Sequence, residues 1–292
     1  MDGICKQGNS DQVREQLKRL PLNLPETYKQ MWERIKVEGN EPIASKALAW
    51  LLYAVRPLSP EEITQAVAVE LGSTAFQQHM YPVEHIIAAC GNFVSLDTKQ
   101  NVLRFEHYSV QEFLKGHKFK EAGSDIARSC FTVLSLYEPP PPLDFYGYVA
   151  TYWQEHAKSW KDTGDPTDPI ERFLFDEVSP QGWTRYTEDI FLRSWRRPLD
   201  WLGPLKPEPI HLICHFNLIT IPRSFFLRRL RNLGTRRVLS EALVLAARNG
   251  CNEIVEFLLT EYPQANLRVV GKIWELIKQF ILEDLILVNY SS

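Results

Sequence analysis

Between Ile43 and Phe105 the hydrophobic pattern passes through three helical stretches and then switches to alternation, and this order constrains the fold more than any other feature. The first stretch, Ile43 to Val55, carries Ala47, Leu48, Trp50, Leu51, Leu52 and Val55. After Arg56-Pro57-Leu58, the run Ser59-Pro60-Glu61-Glu62 combines an N-cap serine, a proline at N1 and a glutamate at N3, a strong helix start. A third helix is predicted from Val83 to Cys90, closed by Gly91-Asn92. Phe93 to Leu96 and Val102 to Phe105 then alternate around the polar turn Asp97 to Asn101, which predicts a two-stranded hairpin. Helix, helix, helix, hairpin is the order of a winged helix.

The flanking sequence is also helical. Val13, Leu17 and Leu20 recur at helical spacing before Leu20 to Pro25 breaks the pattern, and Tyr28, Met31, Trp32 and Ile35 make one apolar stripe on a helix ending near Val37, before Gly39-Asn40-Glu41-Pro42. His107 to His117 follows the hairpin with Val110, Phe113 and Leu114 on one face. A further apolar helix beyond Asp125 is cut off by the four prolines Pro139 to Pro142, which admit only extended chain and mark a boundary. Tyr146 to Trp160 reads as an aromatic helix, expected to be core with part of its aromatic surface exposed, and Ile170 to Val178 as a short one. In the last third, Pro209 to Leu218 aligns with Ala242 to Cys251 at an offset of 33 residues, the ankyrin period. Glu253 to Leu259 continues as the second helix of such a unit, with Gly250 turning between the two. Leu243, Leu245, Ala246, Ile254, Val255, Leu258 and Leu259 are its expected interior, and the segment around Ile273, Trp274, Ile277, Ile281 and Leu282 its expected cap.

Composition narrows the class without naming a partner. With 45% hydrophobic and 24% charged residues and a formal charge of -3, the chain is neither a polycation nor a disordered acidic tail. Five cysteines, odd in number and without a C-x-x-C pair, argue against a disulfide framework or a zinc finger and for a reducing compartment. The mixed charges of the first twenty residues carry no secretory signal, and charges interrupt the apolar stretches before a membrane span is reached. A cytoplasmic location is expected.

Three segments in order, Leu20 to Tyr28, then Trp50-Leu51-Leu52 with Arg56-Pro57-Leu58, then Arg104 to Leu114, resemble the region after the nucleotide-binding core of fungal NACHT proteins that carry ankyrin repeats. Tyr148 to Ala157 is similar to the helix that precedes the repeats in that family, so the resemblance covers most of positions 15 to 260. It implies an NLR-like signalling ATPase of the STAND class, with a P-loop core, a winged-helix regulatory module and an ankyrin sensor. This chain has no G-x-x-x-x-G-K-[ST], so no glycine-rich loop to wrap phosphates: ATP or ADP would bind the missing NACHT core, and no cofactor is expected here. The expected fold is mainly α: a helical pair, a winged-helix module with a small β-hairpin, a helical linker, and one or two ankyrin-like helix pairs. The expected organisation is 1–42 as C-terminal helices of a missing NACHT core, 43–120 as the winged-helix module, 121–205 as the linker, 206–268 as repeats and 269–292 as an atypical tail.

The resemblance makes His107, at the strand-to-helix joint, the candidate nucleotide sensor, should a NACHT core be supplied; otherwise it is a histidine at a helix start. His107 with Ser109 as base and nucleophile is the hydrolase alternative, although no third orienting group is suggested by spacing. Direct DNA binding is disfavoured by charge, because Val83 to Cys90 holds Glu84 and no lysine or arginine, and the turn offers Lys99 against Asp97. Arg223, Arg228, Arg229, Arg231, Arg236 and Arg237 form the one basic concentration, either a solvated face or a protein-interaction surface. His211, Cys214 and His215 share a helical face but lack a fourth metal ligand, so packing is expected and no metal site. H-E-x-x-H and G-x-S-x-G are absent from the sequence. The sequence therefore predicts a non-catalytic regulatory fragment whose winged helix docks on a nucleotide-binding core and whose repeats bind protein.

Overall fold

The computed structural model describes residues 24–75, 80–136, 144–161, 168–175, 209–218 and 236–261. The chain divides into two compact units, the first formed by 1–69, 76–126 and 140–145, the second by 70–75, 127–139 and 146–292.

In the first unit, α1 (Leu24–Val37) buries Tyr28, Trp32 and Ile35, as the stripe requires, while Met31 is half-buried. Gly39 ends it in the left-handed region, at φ +75°, so that its N–H reaches the Lys36 carbonyl (2.9 Å) and the Asn40 N–H reaches that of Ile35 (3.0 Å). This Schellman pairing satisfies carbonyls that the helix end leaves orphaned. Helix α2 (Glu41–Tyr53) begins two residues before Ile43, because proline is tolerated in a first turn where its missing N–H has no helical partner. It is the unit's central helix, burying Ala44, Ala47, Leu48, Ala49, Trp50 and Leu52.

Helix α3 (Pro60–Ala68) starts on the predicted capping box: Ser59 Oγ accepts from Glu62 N (3.1 Å), and the Glu62 carboxylate accepts from Ser59 N (3.0 Å). Arg56 forks onto the same carboxylate at 2.7 and 2.6 Å, a partner that a 7% exposed glutamate side chain needs. At the far end, Lys46 Nζ donates to the carbonyls of Val67 (3.1 Å) and Val69 (2.8 Å). Helix α4 (Val83–Ala89) ends before Gly91, at φ +60°, where a short 3₁₀ turn leads into the hairpin. Strands β1 (Val94–Asp97) and β2 (Val102–Phe105) pair antiparallel from Val94 opposite Phe105 to Asp97 opposite Val102. Asp97 Oδ1 accepts from the N–H groups of Lys99 and Gln100, and Asn101 takes φ 52°, so side-chain bonds and a tolerated left-handed asparagine close the turn. Helix α5 (Tyr108–His117) follows, burying Val110, Phe113 and Leu114. These elements make a winged helix in the predicted order.

The unit is completed by a residue from beyond the four prolines. Phe145, fully buried, sits edge-on to Trp50 at 5.0 Å and donates its N–H to Gln65 Oε1 (3.0 Å). It belongs to the first turn of α7 (Asp144–Ala157).

The second unit takes in the later turns of α6 (Ala122–Leu134), which bury Cys130, Phe131, Val133 and Leu134. Helix α7 buries Tyr146, Tyr148, Trp153 and His156 and leaves Tyr152 half-buried, so little of the aromatic surface expected to be exposed is open. Helix α8 (Pro169–Phe175) closes against them, with Phe173 stacked on Phe131 (5.5 Å) and edge-on to Trp153 (5.0 Å). Asp168, buried, holds this corner: it accepts from Arg128 Nε (2.8 Å), Trp160 Nε1 (3.3 Å) and Ile170 N (3.1 Å). Arg172 donates to the carbonyls of Gly72 and Ser73, and Gly72 N to Thr132 Oγ1, which stitches the loop 70–75 in place.

The same unit contains α9 (Pro209–Phe216), α10 (Arg236–Arg248) and α11 (Asn252–Glu261). Gly250 turns between α10 and α11 at φ +68°. Leu243, Leu245, Ala246, Ile254 and Leu258 are buried as expected, whereas Val255 and Leu259 are only half-buried, on the flank of α11. Helices α9 and α10, which share the sequence repeat, lie against each other: Asn249 Nδ2 donates to the His215 carbonyl (3.3 Å) and Cys251 Sγ to that of Cys214 (3.3 Å). The expected helix at 11–20, the segments carrying Arg223, Arg228, Arg229 and Arg231, and the expected cap after 268 lie outside the described residues.

Candidate functional site

The strand-to-helix joint is built from the hairpin outward. Glu106 N donates to the Phe93 carbonyl (3.0 Å) and prolongs the ladder by one residue. His107 then turns the chain in extended conformation (φ −144°, ψ 148°), and its carbonyl accepts from Val110 N (3.1 Å). Its imidazole is exposed and makes no cap bond to α5, so the side chain is not consumed by the helix start.

Behind the joint the packing is aromatic. Tyr28 of α1 lies against Phe93 (6.1 Å) and Phe113 (5.4 Å), and its hydroxyl shares a 2.7 Å hydrogen bond with Ser109 Oγ. That bond gives Ser109 a tethering partner 81 residues away, and none of its hydrogen bonds goes to His107. In front, Tyr108 is 73% exposed, and the adjacent Glu112 carboxylate, by hydrogen bond and charge, pushes its hydroxyl above the usual tyrosine range. His107, Tyr108 and Glu112 therefore form a solvent-facing corner on a buried aromatic base. Sequence reasoning missed Tyr108; the available signal is an aromatic off the buried stripe of an amphipathic helix.

The surface that would enter a DNA groove has another chemistry. Helix α4 turns Glu84, His85 and Ala88 to solvent and contains no lysine or arginine, while Tyr81 stacks on His85 at 5.2 Å. In the wing, Arg104 is paired with Asp97 at 3.5 Å.

The remaining candidates sit in packing roles. His211 and Cys214 are buried and His215 half-buried against Phe216, and among the described residues no group of three possible ligands is placed to hold a metal. Burial pushes the Cys90 thiol up to about 12 and raises those of Cys130, Cys214 and Cys251, which makes them poor nucleophiles. Arg236 and Arg237 open α10.

With this geometry in view, the first unit contains a winged-helix domain. Residues 30–127 match the family model described as GPI inositol-deacylase, winged helix domain, which covers about a third of the chain. No curated protein and no solved structure matches it. Among the described residues, no helix is long and apolar enough to cross a membrane.

Proposed function

We propose that this chain is a non-catalytic regulatory and protein-interaction fragment of a NACHT–ankyrin signalling protein, acting in the cytoplasm, whose winged helix docks on a nucleotide-binding core. The observation that carries this reading is the winged helix whose α4 bears no basic side chain while His107 and Tyr108 stand exposed at the strand-to-helix joint. A DNA reader needs cations to neutralise phosphates, whereas an exposed aromatic beside a histidine and a carboxylate suits a protein surface. In this reading ATP or ADP belongs to the core, and His107 meets the nucleotide only when the core is present.

The second half of the proposal is that α9, α10 and α11 are ankyrin-like units that bind protein, with the arginines from Arg223 to Arg237 available to an acidic partner. It is supported by the 33-residue offset, the stacking of the two repeat-related helices and the Gly250 turn. The matching family is named for an inositol deacylase, but the shared segment is its winged helix, and the chain has no G-x-S-x-G. Hydrolase chemistry at His107 and Ser109 is disfavoured because the serine hydroxyl is engaged by Tyr28.

The test is the affinity of the full chain for an isolated, ADP-loaded NACHT core from a fungal ankyrin-repeat protein. Tyr108→Ala should weaken it by about tenfold or more, the cost of truncating an interface aromatic. Equal affinity for parent and variant, or labelling of Ser109 by a serine-hydrolase probe, overturns the proposal.

A further inference from the structure

The two repeat-related helices are tied together at the end of α9. A helix leaves its last carbonyls without intrahelical partners, and here three of them are answered. Ile213 accepts from the Leu218 N–H (3.1 Å), Cys214 from Cys251 Sγ (3.3 Å) and His215 from Asn249 Nδ2 (3.3 Å). The same Nδ2 lies 3.3 Å from Nδ1 of the His215 ring. Asn249 therefore supplies a side-chain donor that joins the turn after α10 to a helix end 34 residues away.

The residue that follows makes this amide chemically labile. Of the eleven asparagines in the chain, Asn249 alone precedes a glycine. The side-chain carbonyl carbon of an asparagine is placed to close a five-membered ring with the next main-chain nitrogen, and the chief obstacle is the Cβ of that next residue, which glycine lacks. Asn249 and Gly250 are both exposed, and Gly250, at φ +68°, has open space where a Cβ would stand. The other asparagines among the described residues, Asn40, Asn92, Asn101, Asn217 and Asn252, precede Glu, Phe, Val, Leu and Glu, whose side chains crowd the nitrogen.

The turn also sets the pace of the reaction. Gly250 N donates to the Ala247 carbonyl at 3.2 Å, between the bonds from Asn249 N to Leu245 (3.1 Å) and from Cys251 N to Ala246 (2.9 Å). Ring closure waits for this exposed helix end to open, which costs far less than global unfolding, and so runs slower than in an unstructured peptide.

We propose that Asn249 is a site of spontaneous deamidation, and that its conversion unties α10 from α9. The Gly250 nitrogen, having lost its proton to hydroxide, attacks Asn249 Cγ; the Cγ–Nδ2 bond breaks and Nδ2 leaves as ammonia. Water then opens the succinimide at either carbonyl to give aspartate or isoaspartate. Amide and water thus become acid and ammonia, with no oxidant or reductant. Near neutral pH the product is a carboxylate, which has no proton to offer the His215 carbonyl and stands against the negative end of α9. The inference needs no partner and rests on neither half of the functional reading.

Incubation of the full chain at mildly alkaline pH, followed by mass-spectrometric sequencing of its tryptic peptides, tests the site. Asn249 should gain the mass of amide-to-acid conversion before any other asparagine of the described residues. The same position should accept a methyl group from a protein isoaspartyl methyltransferase. Asn249→Gln, whose longer side chain closes a ring far more slowly, should show neither change there. Asn249→Asp reads the consequence directly: amide exchange across α9 should rise about fivefold, as for the loss of one hydrogen bond, while exchange across α5 stays as in the parent. The proposal is overturned if Asn40, Asn92, Asn101, Asn217 or Asn252 converts ahead of Asn249, if no isoaspartate forms at this position, or if Asn249→Asp leaves exchange across α9 unchanged.

Discussion

Replacing Phe145 with alanine tests whether a residue from beyond the proline run belongs to the winged-helix core. The side chain is fully buried and edge-on to Trp50 at 5.0 Å and 89°. Truncating a buried phenylalanine costs about 3–5 kcal/mol, of which the aromatic pair accounts for about 1 kcal/mol. The bond from Phe145 N to Gln65 Oε1 is made by the main chain and survives the substitution, so the expected loss is about 4 kcal/mol. Amide hydrogen exchange in the full chain reads this locally, because the opening of α2 and α3 reports the first unit alone. A loss of about 4 kcal/mol accelerates exchange at Leu48, Leu52 and Ile63 by about a thousandfold. Phe145→Leu, which refills most of the space, should restore most of the protection. Exchange in Phe145→Ala within about tenfold of the parent would refute the assignment.

Two further outcomes follow from the second unit. Asp168→Ala leaves Arg128, whose side chain is 13% exposed, without its carboxylate and removes the acceptor of Trp160 and Ile170. Urea unfolding should show a loss of about 3 kcal/mol or more, and Asp168→Asn, which keeps an acceptor oxygen, a smaller one. His156 is buried, and burial lowers its pKa from 6.5 to about 4, while Nε2 shares a 2.9 Å hydrogen bond with Tyr148. The unfolded chain therefore binds the extra proton first, and stability falls as pH drops from 6.5 towards 4, by about 3 kcal/mol over that window. His156→Phe should flatten this dependence, and unfolding curves at pH 7 and pH 4.5 check it.

What the sequence disclosed was local. The α3 start was legible because Ser59, Pro60 and Glu62 lie within one turn and make their bonds to one another. The hairpin was legible because Asp97 and Asn101 carry the turn chemistry themselves. Contacts between distant positions were not: Tyr28 with Ser109 and Gln65 with Phe145 are separated by 81 and 80 residues, and no periodicity encodes a partner so far away. At the candidate corner, His107 was singled out by the family resemblance, whereas Tyr108 depends on which residues are left uncovered. Exposure of that kind is a tertiary property. The aromatic helix shows the reverse, since Phe173 and Phe216 meet Trp153 across 20 and 63 positions and help close a surface that seemed open.

The central claim, that the winged helix is a protein-docking module working through its strand-to-helix joint, is tested most directly by hydrogen exchange on the full chain with and without an ADP-loaded NACHT core. The account predicts new protection across 104–112, centred on His107 and Tyr108, with α4 unchanged. Protection confined to α4 and the wing, or none at saturating core, would contradict it.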